Sequence, residues 1–158
     1  LKILEETHYV DKMIVMMQKE VAQRICGKPS TKDYNALSVL LQYFTIPKIL
    51  FDIKPSSFYP QPNVDSSVVE IVYKKEIVNK ALNLNYFLQF NRNIFFQRRK
   101  TLINNVQKAY DYDKSEIEKL LCRFHISSSI RAEELSVNQI VDIANTFYEH
   151  FEENKRTN

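Results

Sequence analysis

Few side chains in this sequence are spaced for chemistry, and the most specific string is Phe58-Tyr59-Pro60-Gln61-Pro62-Asn63-Val64-Asp65-Ser66. Two prolines one residue apart stiffen an extended segment, so the aromatic ahead of them is offered at a fixed orientation with little entropy left to lose. Asp65 and Ser66 can close a turn onto backbone before the next strand begins. A rigidly presented ring suits stacking on an unpaired base. It equally suits plugging a sheet edge, because most aromatics beside strands are packing residues; the residues alone leave both readings open. The second candidate is electrostatic. Residues 77–110 contain Lys80, Arg92, Arg98, Arg99, Lys100 and Lys108 and no Asp or Glu, whereas residues 111–158 carry more acid than base. A basic block between neutral and acidic flanks fits a surface that meets phosphate, or a solvated helix face. Three consecutive cations cannot all face one way on a helix, so at least one of Arg98, Arg99 and Lys100 is expected to pair with an acid of the tail.

What is rare excludes more. Gly27 is the single glycine among 158 residues, which rules out within this chain both G-x-G-x-x-G and the Walker loop, since each needs several positions without a Cβ. Cys26 and Cys122 form no C-x-x-C, and with His8, His125 and His150 scattered no metal-ligand spacing arises. Unpaired cysteines suit a reducing compartment such as the cytoplasm. A composition of 44% hydrophobic and 26% charged residues is globular. No apolar run approaches the ~20 residues of a membrane span, so no membrane association is expected. The start, Leu1-Lys-Ile-Leu-Glu-Glu6, has neither an initiator Met nor a signal-peptide layout and reads as the middle of a helix.

These residues need elements to hold them. Met13–Met17 is a continuous apolar run, expected as a strand buried on both faces. Lys19–Ile25 reads as a helix, stopped by Gly27 in a left-handed conformation and by Pro29. Leu37–Phe44 is apolar without clear period, Ile46–Ile53 reads as a strand, and Lys54–Asp65, with three prolines, is a connector. Ser67–Tyr73 is rich in β-branched residues and predicts a strand. Beyond Lys75 the period becomes helical: Leu88, Phe95 and Leu102 recur at seven, with Phe87, Phe90 and Ile94 beside them. Ser115…Glu118 and Ser136…Gln139 fit capping boxes. Behind them run the apolar faces Ile117, Leu120, Leu121, Phe124 and Ile140, Ile143, Ala144, Phe147, Phe151. The expectation is an α/β fold: the end of a sheet domain in residues 1–76, then a small all-α domain in residues 77–158. A three-strand remnant would leave a sheet edge bare, which suggests further sequence upstream.

Phe58-x-Pro60-x-Pro62-x-Val64-Asp65-Ser66-x-Val68 resembles the signature near the end of the methyltransferase domain in the rRNA adenine N6,N6-dimethyltransferases. Other strings agree in order. Met16-Met-Gln18-Lys19-Glu20-Val21-Ala22-x-Arg24 is similar to the family's M-x-Q-K-E-V-A-x-R segment, and Tyr34-x-x-Leu37-Ser38-Val39-x-x-Gln42-Tyr43 to its Y-x-x-L-S-V-x-x-Q-Y segment. Phe96-Gln97-Arg98-Arg99-Lys100-Thr101-Leu102-x-Asn104 resembles the F-x-x-R-R-K-T-L-x-N string of its helical domain, and the basic R-R-K-T-L part favours the bacterial kasugamycin-resistance type over the erythromycin-resistance branch. Arg131-Ala-Glu-Glu-Leu135-Ser136 resembles the late R-x-E-x-L-S string.

The resemblance implies the C-terminal strands of a Rossmann-like methyltransferase sheet followed by an rRNA-binding helical domain. It implies transfer of methyl groups from S-adenosylmethionine to N6 of two adjacent adenosines in small-subunit rRNA, by a monomer acting on the ribosomal subunit. Phe58 would be one wall of the target-adenine pocket, and Arg98, Arg99, Lys100, Asn104, Gln18 and Arg24 would meet RNA. Each has a plainer alternative: Gln18 and Glu20 as helix caps, Arg24 as a solvent-facing helix residue, Asn104 as a cap or turn residue. His125 is expected to be structural. The family's Asn-Leu-Pro-Tyr acceptor segment, its glycine-rich turn and its cofactor-holding acid do not occur here, so the chain is expected to be the C-terminal part of an enzyme and inactive alone. The competing readings are a non-catalytic RNA- or ribosome-binding module derived from that family, and, on thin support, a polyproline ligand built on Pro60-Gln61-Pro62.

Overall fold

The computed structural model describes residues 10–153; the expected helical start at Leu1–Glu6 and the position of His8 lie outside them. The chain divides into two compact units, Leu1–Ile77 and Val78–Asn158. In the first, β1 (Lys12–Gln18) leads into α1 (Lys19–Ile25), and α2 (Ala36–Phe44) into β2 (Thr45–Ile53). A 3-10 turn at Pro55–Ser57 and a proline-rich connector then lead to β3 (Ser66–Tyr73). The sheet has the order β1-β3-β2 with both pairings antiparallel.

β3 lies between the other two strands because its period-two pattern supplies a full buried face: Ser67, Val69 and Ile71 point inward. Val69 and Ile71 form a core with Ala22 of α1, and Met13, Met17, Cys26 and Ile49 pack against it. Pro47 is tolerated because β2 pairs on one side only among the described residues. Between Ile49 and Phe51 the register slips by a bulge that leaves Leu50 without a partner.

Two expectations need correction here, and one open stretch is resolved. β1 is not buried on both faces: Ile14 is 61% and Met16 53% exposed, and on its other face Met13 and Met17 are part-buried against the core. The ambiguous stretch Leu37–Phe44 is helical, started by Asn35 and Ser38 in a reciprocal cap (Leu37 N–H to Asn35 Oδ1 2.8 Å, Asn35 N–H to Ser38 Oγ 3.0 Å). Gly27 ends α1 without a left-handed conformation. Its role is closeness, since a Cβ there would lie 2.9 Å from the backbone of Asp33 and Tyr34. The carbonyls left open at this helix end are met by Gln42, whose Nε2 donates to Ile25 O (3.0 Å) and Gly27 O (2.8 Å), and by the Ser38 hydroxyl on Arg24 O.

The second unit holds α3 (Leu84–Ile94), α4 (Leu102–Tyr110), α5 (Lys114–Cys122), a 3-10 turn at Ala132–Glu134, and α6 (Val137–Phe147), which runs on into a wider helical turn at Tyr148–Glu153. Phe87, Phe90, Leu102, Val106, Ile117, Ile140, Ile143 and Phe147 are completely or almost completely buried. Each such phenylalanine contributes roughly 1.5–3 kcal/mol over an exposed one. The seven-residue stripe is not one helix face: α3 stops at Ile94, so Leu88 and Phe95 are only half-buried, and Leu102 opens a new helix. The cap of α5 is Asp113, two residues before the expected serine, with Oδ1 accepting from Ser115 N–H (2.8 Å) and Glu116 N–H (3.2 Å). The carboxylate wins because charge adds to the hydrogen bond at a helix N-terminus. At α6 the Ser136–Gln139 box forms as expected (Gln139 N–H to Ser136 Oγ 3.3 Å, Ser136 N–H to Gln139 Oε1 2.9 Å). His125 is exposed with φ 56°, a turn residue just past α5 and its last 3-10-like turn.

Candidate nucleic-acid interface

In the first unit the chemistry gathers where β1 passes into α1. Lys19 Nζ contacts Asp52 Oδ2 at 2.6 Å and Asp65 Oδ2 at 3.8 Å, and Lys19 N–H donates to Asp65 O at 2.9 Å. Ser67 Oγ completes the set by donating to Asp52 Oδ1 at 2.7 Å. The hydrogen bonds from Lys19 and then Ser67 hold the Asp52 carboxyl below the usual carboxylate range, and Asp52 in turn raises the Lys19 ammonium. This network ties the end of the proline-rich connector to the start of α1. Beside it opens a depression of about 410 Å³ lined by Gln18, Lys19, Glu20, Gln23, Asn63, Val64 and Asp65.

Gln18 therefore lies in a cleft and makes no capping bond. Glu20 is engaged by the Arg24 guanidinium one turn on, on the exposed side of α1. Phe58 is half-buried at the close of the 3-10 turn, with its N–H on Pro55 O (3.1 Å) and extended backbone, and is not among the residues lining this depression. The Tyr59–Pro60 peptide is cis, and the Tyr59 side chain is fully exposed.

In the second unit Arg98, Arg99 and Lys100 sit on the loop between α3 and α4 rather than on a helix. The loop is fixed from below by Asn105, only 2% exposed. Its Nδ2 donates to Ile94 O (2.9 Å) and Gln97 O (3.1 Å), and its Oδ1 accepts from Gln97 N–H (3.1 Å). Lys100 N–H closes a turn on Gln97 O (2.9 Å), Thr101 caps α4 through Asn104 N–H (3.3 Å), and Leu102 N–H bonds Ile130 O (2.8 Å). Arg98 pairs with Glu133 (Nε to Oε2, 2.7 Å), the acidic-tail partner expected of one of the three. Arg99 and Lys100 stay exposed and form no ion pair among the described residues. Asn104 is exposed and lines a shallow polar depression with Thr101, Lys114, Ser128 and Ser129.

The sequence reading missed Asn105 and the Lys19–Asp52–Ser67 network. Asn105 carried one signal, a polar residue inside the apolar set Leu102, Ile103 and Val106. Asp52 carried none, because its partners come from two other elements.

Comparison with known proteins now bears on this geometry. The family model described as ribosomal RNA adenine dimethylase matches residues 1–149. Among curated relatives, proteins named ribosomal RNA small subunit methyltransferase A from Bacillus cytotoxicus and Oceanobacillus iheyensis are 37% and 34% identical over 94% and 95% of this chain. The chain spans about half the length of these curated relatives, 52% of each. Among solved structures, a dimethyladenosine transferase from Plasmodium falciparum superposes with a TM-score of 0.77 at 20% identity, covering 94% of this chain and 61% of that one. The 23S rRNA methyltransferase ErmE gives 0.62 at 15% identity, covering 89% and 56%. At such identities the two structures establish a shared fold. The family assignment rests on the match across residues 1–149 together with the relatives at 37% and 34% identity: this chain belongs to the ribosomal RNA adenine dimethylase family.

Proposed function

We propose that the chain is the RNA-engaging portion of an rRNA adenine dimethyltransferase, which methylates N6 of two adjacent adenosines in small-subunit rRNA. The observation that carries this is the α3–α4 loop: Asn105 and Glu133 fix its shape, and it holds Arg99 and Lys100 outward in a stretch without a single acid. The names of the curated relatives support the substrate. In this reading the first unit supplies the last three strands of a Rossmann-like sheet and the second an rRNA-binding domain. The enzyme works as a cytoplasmic monomer on the ribosomal subunit.

S-adenosylmethionine would supply the methyl group. Gly27, the single glycine, spends its missing side chain on close contact with Asp33 and Tyr34, which supports a cofactor cradle built elsewhere in the enzyme. In this reading the grip on that cofactor belongs to residues outside this chain. What this chain contributes is positioning. The exocyclic amine of adenine is a poor nucleophile because its lone pair is delocalised, so the base must be extracted, held and aimed. Phe58, at the head of a stiff Pro-x-Pro segment anchored by Asp65 to Lys19, stacks the extracted base. Gln18 contacts RNA at the mouth of its depression, and Arg24, paired with Glu20 on the exposed side of α1, adds a guanidinium contact. Arg99 and Lys100 take phosphates, Arg98 braces the loop they ride on, and Asn104 adds a polar contact on the first turn of α4.

The test is methyl transfer by the full-length enzyme. Phe58→Ala should lower turnover on small-subunit rRNA roughly 10- to 100-fold, the value of a lost base–aromatic stack, with S-adenosylmethionine affinity within about twofold of wild type. Unchanged turnover removes Phe58 from the site. RNA binding with no methyl transfer by the wild-type enzyme would instead establish the non-catalytic binding module.

A further inference from the structure

Phe96 is out of place for a core residue. It is 71% exposed, while Phe87, Phe90 and Phe147 of the same unit are fully buried. Leaving such a ring in water forgoes most of the free energy its burial would supply. The exposure is built in rather than a fraying end. Phe96 N–H bonds Asn93 O at 3.1 Å, and the next residue, Gln97, is clasped through both its N–H and C=O by the buried Asn105. The ring borders an open, mainly apolar depression of about 180 Å³ shared with Asn93, Asn105, Lys108 and Ala109. Lys108 Nζ stands 5.1 Å from the ring centroid, within cation–π range.

We propose that Phe96, with Lys108 over one face of its ring, offers the other face as a stacking platform for an unpaired base of the bound RNA. This rests on the reading that the chain binds RNA, and it names a contact separate from the target-adenine wall at Phe58. The chemistry selects the occupant. A flat apolar ring accepts any base face, the neighbouring ammonium can take up that nucleotide's phosphate, and Arg99 and Lys100 follow three and four residues on. A protein side chain could fill the depression, but a segment with six cations and no acid favours a polyanion. A base inside a duplex already stacks on its neighbours, so the platform serves single-stranded or looped RNA.

The test measures this chain of 158 residues against a ten-nucleotide single-stranded RNA and against a duplex of the same sequence, each across a salt series. Phe96→Ala, at a site exposed enough to leave folding intact, should weaken single-strand binding roughly tenfold and duplex binding less than twofold, with the salt slope unchanged because no phosphate contact is lost. Phe96→Trp should retain the wild-type affinity. Arg99→Ala/Lys100→Ala, measured alongside, should weaken both ligands and flatten the slope. If that double variant behaves so while Phe96→Ala stays within twofold of wild type on the single strand, the platform is wrong and RNA binding stands. Equal losses from Phe96→Ala on strand and duplex would reduce Phe96 to a support of the loop and overturn the proposal. If neither variant alters binding, the RNA reading itself fails and the platform with it.

Discussion

Asn105 sits in α4 with its side-chain amide turned into the end of α3, answering Ile94 O and both backbone groups of Gln97. Replacing it by Ala leaves these groups without partners at a buried site, which costs about 1–3 kcal/mol. Asn105→Ala should therefore lower the thermal midpoint and loosen RNA binding together, read by calorimetry and by binding to small-subunit rRNA; a stability loss with unchanged affinity would show that the loop does not need this brace. Asp52 makes a pH prediction. Its folded pKa is depressed by Lys19 and Ser67, so the stability it contributes is complete above its unfolded value of ~3.9 and is lost as pH falls through the lower folded value. The midpoint difference between wild type and Asp52→Asn should thus be full near neutrality and close in strong acid. A constant gap down to pH 2 would contradict the assignment. Phe58, Arg98, Arg99 and Lys100 could be named in advance because their signals are local: a proline pair and a run of like charge. The partners that fix them could not, since Glu133 and Asn105 meet the loop only after the chain has folded back.

At the level of elements, β3 was legible because Ser67, Val69 and Ile71 alternate inward over its whole length. The helix before β2 was not: the strand from Ile46 was separated from Leu37–Phe44, but that stretch is apolar without a clear period, and periodicity alone did not reveal α2. The opposite error occurred at Phe95, where regular spacing of apolar residues spans a break made by tertiary hydrogen bonds. The turn after α1 shows how one backbone demand is met by distant residues. Gly27 gives room to Asp33 and Tyr34, while Ser38 and Gln42 from α2 close the helix end. Those residues belong to the Tyr34–Tyr43 string by which the family was recognised, so part of that resemblance records architecture rather than chemistry. Gly27→Ala would place a methyl against backbone that cannot swing aside, an overpacking cost of about 1–3 kcal/mol despite the smaller chain entropy that Ala loses on folding. Chemical denaturation should show it as a lower midpoint with an unchanged m-value; a stabilised variant would mean that the Asp33–Tyr34 turn yields.

Across the whole molecule the cations are concentrated rather than numerous, because a net charge of only +3 conceals an acid-free segment at 77–110. Within it Arg98 is bound to Glu133, which leaves Arg99 and Lys100 as the pair that presents charge from a loop of fixed shape. Engagement of RNA phosphate by that pair is the claim on which the rest depends. It is tested by titrating the chain with a small-subunit rRNA fragment at several salt concentrations, wild type against Arg99→Ala/Lys100→Ala. Two lost phosphate contacts should reduce the slope of log K against log salt by about 1.5 and weaken binding at every salt concentration. An identical slope and affinity in the two proteins would contradict the account.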